Sequence, residues 1–174
     1  DFLNSILRMA PHTRVPPILA QEAAKRYRVA MRKAVPAKPK VRLPRGVRAV
    51  SIPKLKKELD RVFSLFIRQR DSNEHGYGAC VTCSYLAPWN SMDCGHYQPR
   101  QDMATRWDEK NCHLQCKSCN GFRGGEPEKM AVYIDAKYGS LTALALRTLA
   151  RQPFRLSRAW MEMKITEYKR RIRE

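Results

Sequence analysis

The residues of this chain best equipped for chemistry are four cysteines in two C-x-x-C turns, Cys80/Cys83 and Cys116/Cys119. Zinc takes four ligands in a tetrahedron, and each such turn brings two thiolates within reach of one ion. The two turns together predict a closed structural zinc site, one ion per chain, with no position left for substrate. The interval between them, residues 84–115, is longer than the ~15–20 residues of a plain zinc ribbon. Something is inserted between the two halves of the clasp.

That insertion ends in DCGHYQPRQDMATRWDEKNCHLQCKSCNGFRGG, residues 93–125, which places His96, Asn111 and Asn120 around the second cysteine turn. Residues 93–97 read as a short strand. Alternation puts Cys94 and His96 on one face and Asp93, Gly95 and Tyr97 on the other, unless a bulge at Gly95 re-aims the chain. Cys116 to Asn120 is expected to open a short helix. Cys94 and Cys112 fall outside the cysteine pattern and read as small buried residues. His113 is left open between a ligand, a phosphate contact and a buried hydrogen-bonding residue.

The elements that must position these groups are mostly helical. A helix is expected from Ser51, with Pro53 near its start and Leu55, Leu59, Val62, Phe63, Phe66 and Ile67 on one stripe. A second runs from Glu126-Pro127 to Lys137 or Tyr138, closed by Gly139. Ser140 is expected to cap a third, LTALALRTLA, and a fourth spans about 155–173 with Met161, Ile165, Tyr168 and Ile172 aligned. Residues 32–48, RKAVPAKPKVRLPRGVR, carry basic residues and prolines without an acidic one, which resists helix and sheet and predicts an extended arm. The chain thus divides into 1–50 (N-terminal segment and basic arm), 51–72 (amphipathic helix), 73–125 (zinc-clasped core) and 126–174 (C-terminal helical region).

Composition narrows the partner. Of 174 residues, 34 are Lys or Arg and 16 Asp or Glu, a net charge of +18, and an excess of that size points to a polyanion, nucleic acid first. A basic membrane-surface protein competes, but no run approaches 18 apolar residues and nothing resembles a signal peptide, so a cytoplasmic protein without membrane association is expected. The chain opens on Asp1 rather than Met, so the natural start is expected upstream. Six cysteines are too few for a disulfide-stapled domain of this size.

The order GH…N-x-x-x-x-C-x-x-C-N resembles the HNH, or ββα-metal, nucleases, and the clasped version is similar to the phage endonuclease VII type. A closer similarity is to the NinG (Rap) recombination endonucleases of lambdoid phages. It is carried by F-I-R-x-R-D at 66–71, C-x-x-C at 80–83, D-x-G-H-Y at 93–97, R-[FW]-x-E-x-N at 106–111 and H-x-Q-C-x-x-C-N at 113–120. The resemblance covers about residues 54–174 and implies an α+β fold, a small zinc-stabilised ββα-metal (HNH) core with flanking helices, mostly helical overall.

It also implies a function, the metal-dependent hydrolysis of DNA phosphodiester bonds, with branched recombination intermediates such as Holliday junctions and D-loops as substrate. His96 would be the general base, since an imidazole titrates near neutral pH. Mg²⁺ or Mn²⁺ would neutralise charge on the phosphate and leaving oxygen, held by Asn120 and a carboxylate. Asp93 is chosen for that carboxylate, although many HNH enzymes carry the ligand directly before the base, where this chain has Gly95; Glu109 or Asp71 could substitute. Asn111 resembles the middle Asn that braces the loop. Phosphate contacts are expected from Arg100, Arg106, Arg123 and Lys117, and from Arg42, Arg45 and Arg48 of the arm, with a solvated or structural ion pair as the alternative for Arg106 and Arg123. A two-fold homodimer is expected for junction cutting, its interface drawn from the stripes at 55–67 or 161–172 if these are not used within the monomer. Recombination proteins are further partners, and a phage-encoded chain would work in the host cytoplasm. The rival reading is a non-catalytic zinc module that binds nucleic acid.

Overall fold

A computed structural model describes Val50 to Arg173 continuously, together with Gln21, Glu22 and Lys25. The basic arm, with Arg42, Arg45 and Arg48, lies outside the described residues.

Helix α1 (Ile52–Arg70) follows Ser51 and has Pro53 in its first turn, where a missing N–H costs nothing. The six apolar residues expected on its stripe are all buried. They pack on α4 (Arg158–Arg173), whose Met161, Ile165 and Tyr168 are buried in the same cluster. The Tyr168 ring lies 5.1 Å from both Phe63, edge to face, and Phe66. Because these two stripes bury each other, neither remains as the dimer surface anticipated from the sequence.

Two short antiparallel hairpins follow α1 in the chain. Strand β1 (Tyr77–Ala79) pairs with β2 (Leu86–Pro88), and β3 (Asp93–His96) pairs with β4 (Cys112–Gln115). The β3–β4 ladder runs Asp93 to Gln115, Cys94 to Leu114, Gly95 to His113 and His96 to Cys112 without interruption, so no bulge occurs at Gly95.

After β4 the chain makes the expected short helix, a π-helical turn at Ser118–Phe122. Gly124 and Gly125 both take positive φ, and α2 (Pro127–Tyr138) begins behind Glu126, itself left-handed. Helix α2 ends at Gly139 as predicted, with φ of 99°. Helix α3 (Thr142–Ala150) corrects one expectation: Leu141, not Ser140, occupies the N-cap, in left-handed conformation and without a side-chain cap. Helix α4 starts at Arg158 rather than near 155, because the Ser157 hydroxyl accepts the Trp160 N–H at 3.2 Å and so sets the boundary. Helices α2 and α3 enclose a second cluster, Met130, Ile134, Ala143 and Leu146 with Tyr97.

Candidate metal centres and active site

Cys80 follows β1, Cys116 follows β4, and the β1–β4 neighbourhood brings the two cysteine turns together. All four Sγ atoms lie within 4.8 Å of one another, with Cys83 and Cys116 at 3.8 Å. A tetrahedron of thiolates at ~2.3 Å from zinc has its sulfurs about 3.8 Å apart, so this cluster could hold a metal such as zinc. The Cys119 N–H donates to Cys116 Sγ at 3.4 Å. Burial pushes the Cys80 thiol up, but hydrogen bonds from Thr82 and from backbone N–H groups outweigh it and bring the thiol down to about 6. Cys83 has a backbone bond from Tyr85 that lowers it, yet burial and the Cys80, Cys119 and Cys116 sulfurs push it up to about 12. Four neighbouring sulfurs cannot all ionise unless a cation shares them. Cys80, Cys116 and Cys119 are packed with Ala87, Met92 and Leu114, so the clasp is also a small core.

On the insertion, Asn111 is fully buried and bonded to the loop that follows His96. Its Nδ2 donates to the carbonyls of Gln98 (3.0 Å) and Thr105 (3.1 Å), and its Oδ1 accepts the Gln98 N–H at 2.7 Å. One amide thus closes the base of the loop that follows His96.

The two faces of β3 carry different groups. On one, Asn120 Nδ2 donates to Asp93 Oδ2 at 3.1 Å, which joins residues far apart in sequence. Of the three carboxylates considered for a hard cation, Asp93 is the one left accessible to it. Asp71 is taken up by Arg70 (2.8 Å), His113 (3.3 Å), the Leu114 N–H (3.2 Å) and Lys137 (3.4 Å). Glu109 is taken up by Arg171 and the Tyr168 hydroxyl. Directly across from Asp93 stands Gln115, whose signal in the sequence was only its place in the H-x-Q-C run. Its Nε2 donates to Gly125 O (2.8 Å) and Thr82 Oγ1 (3.2 Å), while Oε1 is buried without a hydrogen-bond partner. A Cβ on Gly95 would lie 2.0 Å from that oxygen. A side chain at Gly95 would therefore have to displace the Gln115 amide. One carboxylate and two amides thus share this side of the hairpin.

His96 projects from the other face, beside Cys94 and Cys112, so the structure does not bring it onto the Asp93–Asn120 side. Its Nδ1 is 3.2 Å from Cys94 O and its Nε2 3.2 Å from Arg106 O. Burial first, then the charge of Arg100, holds the imidazole down to about 4, against those carbonyl contacts, which raise it. It is neutral at pH 7. A cavity of about 270 Å³ between α1 and β3 is lined by His96, Cys94, Asp60, Lys57, Arg61 and Arg100.

The remaining predicted residues sort by their partners. Arg106 takes the structural alternative: its guanidinium is held by Asp60 at 2.9 and 2.6 Å and by the Arg100 carbonyl. Arg100 is largely exposed beside Asp60 at 3.4 Å. Arg123 is exposed and 3.6 Å from Glu126, and Lys117 is exposed next to the clasp. Phe122, missed in the sequence, stands 89% exposed next to Arg123. His113 is the buried hydrogen-bonding residue of its three alternatives, fully buried between Asp71, Arg70 (3.0 Å) and the Lys110 carbonyl (3.1 Å). Burial holds it below the usual imidazole range despite the Asp71 carboxylate.

The model of the family described as bacteriophage lambda NinG protein matches residues 14–174, nearly the whole chain. This chain belongs to the NinG family. Proteins named ninG from Escherichia phage 933W, Enterobacteria phage VT2-Sa and Salmonella phage P22 are each 35% identical to it over 72 residues. That stretch is 40% of this chain and 32% of each relative, so the match spans about a third of those NinG proteins. No solved structure matches this NinG-family chain. Among its described residues no helix is long and apolar enough to cross a membrane.

Proposed function

We propose that this NinG-family chain is a metal-dependent DNA endonuclease of HNH type, acting on branched recombination intermediates. The observation that carries the reading is the Asp93–Asn120 pair, set on a hairpin and locked by a cysteine clasp immediately before Asn120. In this reading zinc occupies the clasp and holds the fold. Asp93 and Asn120, with Gln115 Oε1 facing the same side, would hold Mg²⁺ or Mn²⁺, which supplies charge neutralisation on the phosphate and leaving oxygen when bound.

His96 lies on the same strand but on its opposite face. Among the described residues the sheet has two strands, so β3 has no strand partner on its other edge. The scissile phosphate would lie across that edge near His96, the last residue of the strand. His96 takes the proton from the attacking water. Asn111 holds the following loop and so fixes the Arg106 carbonyl against the ring. Arg100, Arg123 and Lys117 neutralise flanking phosphates, and the exposed Phe122 ring offers a stacking surface for an unpaired base. Cutting both strands of a junction calls for two such sites, hence a pair of chains on DNA.

The test is a cleavage panel of linear, forked, D-loop and four-way DNA with Mg²⁺ or Mn²⁺, comparing the native chain with His96→Ala. Cleavage of branched DNA by the native protein alone supports the proposal. Equal cleavage by the variant, or salt-sensitive binding with no cleavage of any substrate, leaves the non-catalytic binding module.

A further inference from the structure

Cys94 and Cys112 have no part in the clasp or in the reaction proposed above, yet the structure sets them with His96. Register puts His96 directly opposite Cys112 and Cys94 diagonal to it, all on one face of the β3–β4 hairpin. Their ligand atoms, two Sγ and a ring nitrogen, lie within 4.8 Å of one another. Cys112 is fully buried and Cys94 half-buried against the α1–α4 core.

The imidazole supplies a second observation. Both of its nitrogens face carbonyl oxygens at 3.2 Å, but a neutral ring has one N–H. One nitrogen therefore presents its lone pair to an oxygen and has no donor. A ligating histidine has this arrangement with one change: its N–H goes to a backbone carbonyl and its lone pair to a metal. The third observation is space, because Cys94 and His96 line the cavity between α1 and β3.

We propose that Cys94, His96 and Cys112 form a second metal site, specific for a soft or borderline divalent ion such as Zn²⁺, with its fourth position open to that cavity. Two thiolates and one imidazole are a donor set that zinc accepts and Mg²⁺ does not. Binding releases the two thiol protons to solvent, and the two thiolates neutralise the ion's charge inside the fold. The ion occupies the ring that the proposed hydrolysis uses as its base. The site thus separates two metals by softness: a hard ion at Asp93 and Asn120 supports the reaction, and zinc at the thiols blocks it. This regulatory consequence rests on the nuclease reading, whereas the site itself does not.

The experiment measures metal content of the full chain by native mass spectrometry and by Co²⁺ absorption as metal is added. The native protein is expected to bind two thiolate-ligated ions, with thiolate-to-cobalt charge-transfer intensity rising in two steps. Cys94→Ser and Cys112→Ala, singly and together, are expected to bind one and to lose the second step while keeping the first. A single charge-transfer step in the native chain over the whole titration overturns the proposal, as does a second charge-transfer step that persists in the double variant. The two single variants guard against misfolding, since retention of the first cobalt step reports an intact clasp. Added zinc is expected to inhibit cleavage by the native chain but not by the double variant. If no cleavage occurs at all, the nuclease reading falls and the metal count still decides the site.

Discussion

The two faces of the β3–β4 hairpin share eight backbone residues and present opposite chemistry. One face carries Asp93, Gln115 and, from the turn beyond, Asn120, all oxygen donors. The other carries Cys94, His96 and Cys112, sulfur and nitrogen donors packed against α1. A strand turns over every residue, so neighbours such as Gly95 and His96 can be assigned to unrelated environments within 3.4 Å or so of chain. On the two proposals above, hard and soft ligand sets need no separate domains when a two-stranded sheet keeps them back to back.

The largest expected effect comes from below both faces. Replacing Cys83 or Cys116 with Ser removes a clasp ligand, and structural zinc contributes on the order of 10 kcal/mol to folding in small domains. Circular dichroism should show loss of cooperative unfolding near residues 77–122; an unchanged melting profile would mean that the hairpins stand without the ion. Next in size, His96→Ala should lower cleavage by about 10²–10⁴-fold while DNA affinity at fixed salt stays the same. Asp93→Asn should reduce cleavage in a way that higher Mg²⁺ or Mn²⁺ partly restores, which His96→Ala should not allow; identical metal dependence of the two variants would erase the distinction between the faces.

Acid should act on the His96 face first. The folded ring is held near 4, the unfolded ring takes a proton below about 6.5, and so the unfolded chain binds more protons between those values. Stability therefore falls as pH drops through that window, by up to about 3 kcal/mol from this group. Denaturant midpoints at pH 7 and pH 5 should differ, and His96→Gln should narrow the difference. Asp71, held below the usual carboxylate range by His113 and Arg70 despite burial, adds its loss only at still lower pH. The smallest effect belongs to the oxygen face: Gly95→Ala forces the Gln115 amide aside and should cost about 1–3 kcal/mol, read as a lower melting temperature.

Much of this arrangement was legible in the sequence because it is set by local chemistry. Pro53, Pro127 and Gly139 mark helix ends wherever they occur, and the α1 stripe follows from its 3.6-residue period. The paired C-x-x-C turns were readable because their spacing nearly determines a four-sulfur cluster. What escaped depends on contacts between distant segments. Arg106 could be a phosphate contact or part of an ion pair on its sequence, and Asp60, 46 residues away, decides for the pair. Gly95 looked like a missing ligand, whereas a side chain there would have to displace the Gln115 amide. The choice of Ser140 as cap followed propensity, and the packing of α3 on α2 overrode it by placing Leu141 there in a left-handed conformation.

The end of α1 grips β4 from outside: Arg70 donates to the carbonyls of Glu109 and Cys112 at 2.9 Å, and Asp71 receives the Leu114 N–H. A fragment trimmed to begin after that helix would leave a buried histidine and two orphaned carbonyls facing water. Whoever grafts this hairpin onto another scaffold must carry the preceding helix with it, since the smallest portable unit is the hairpin, its clasp and the lever that pins them.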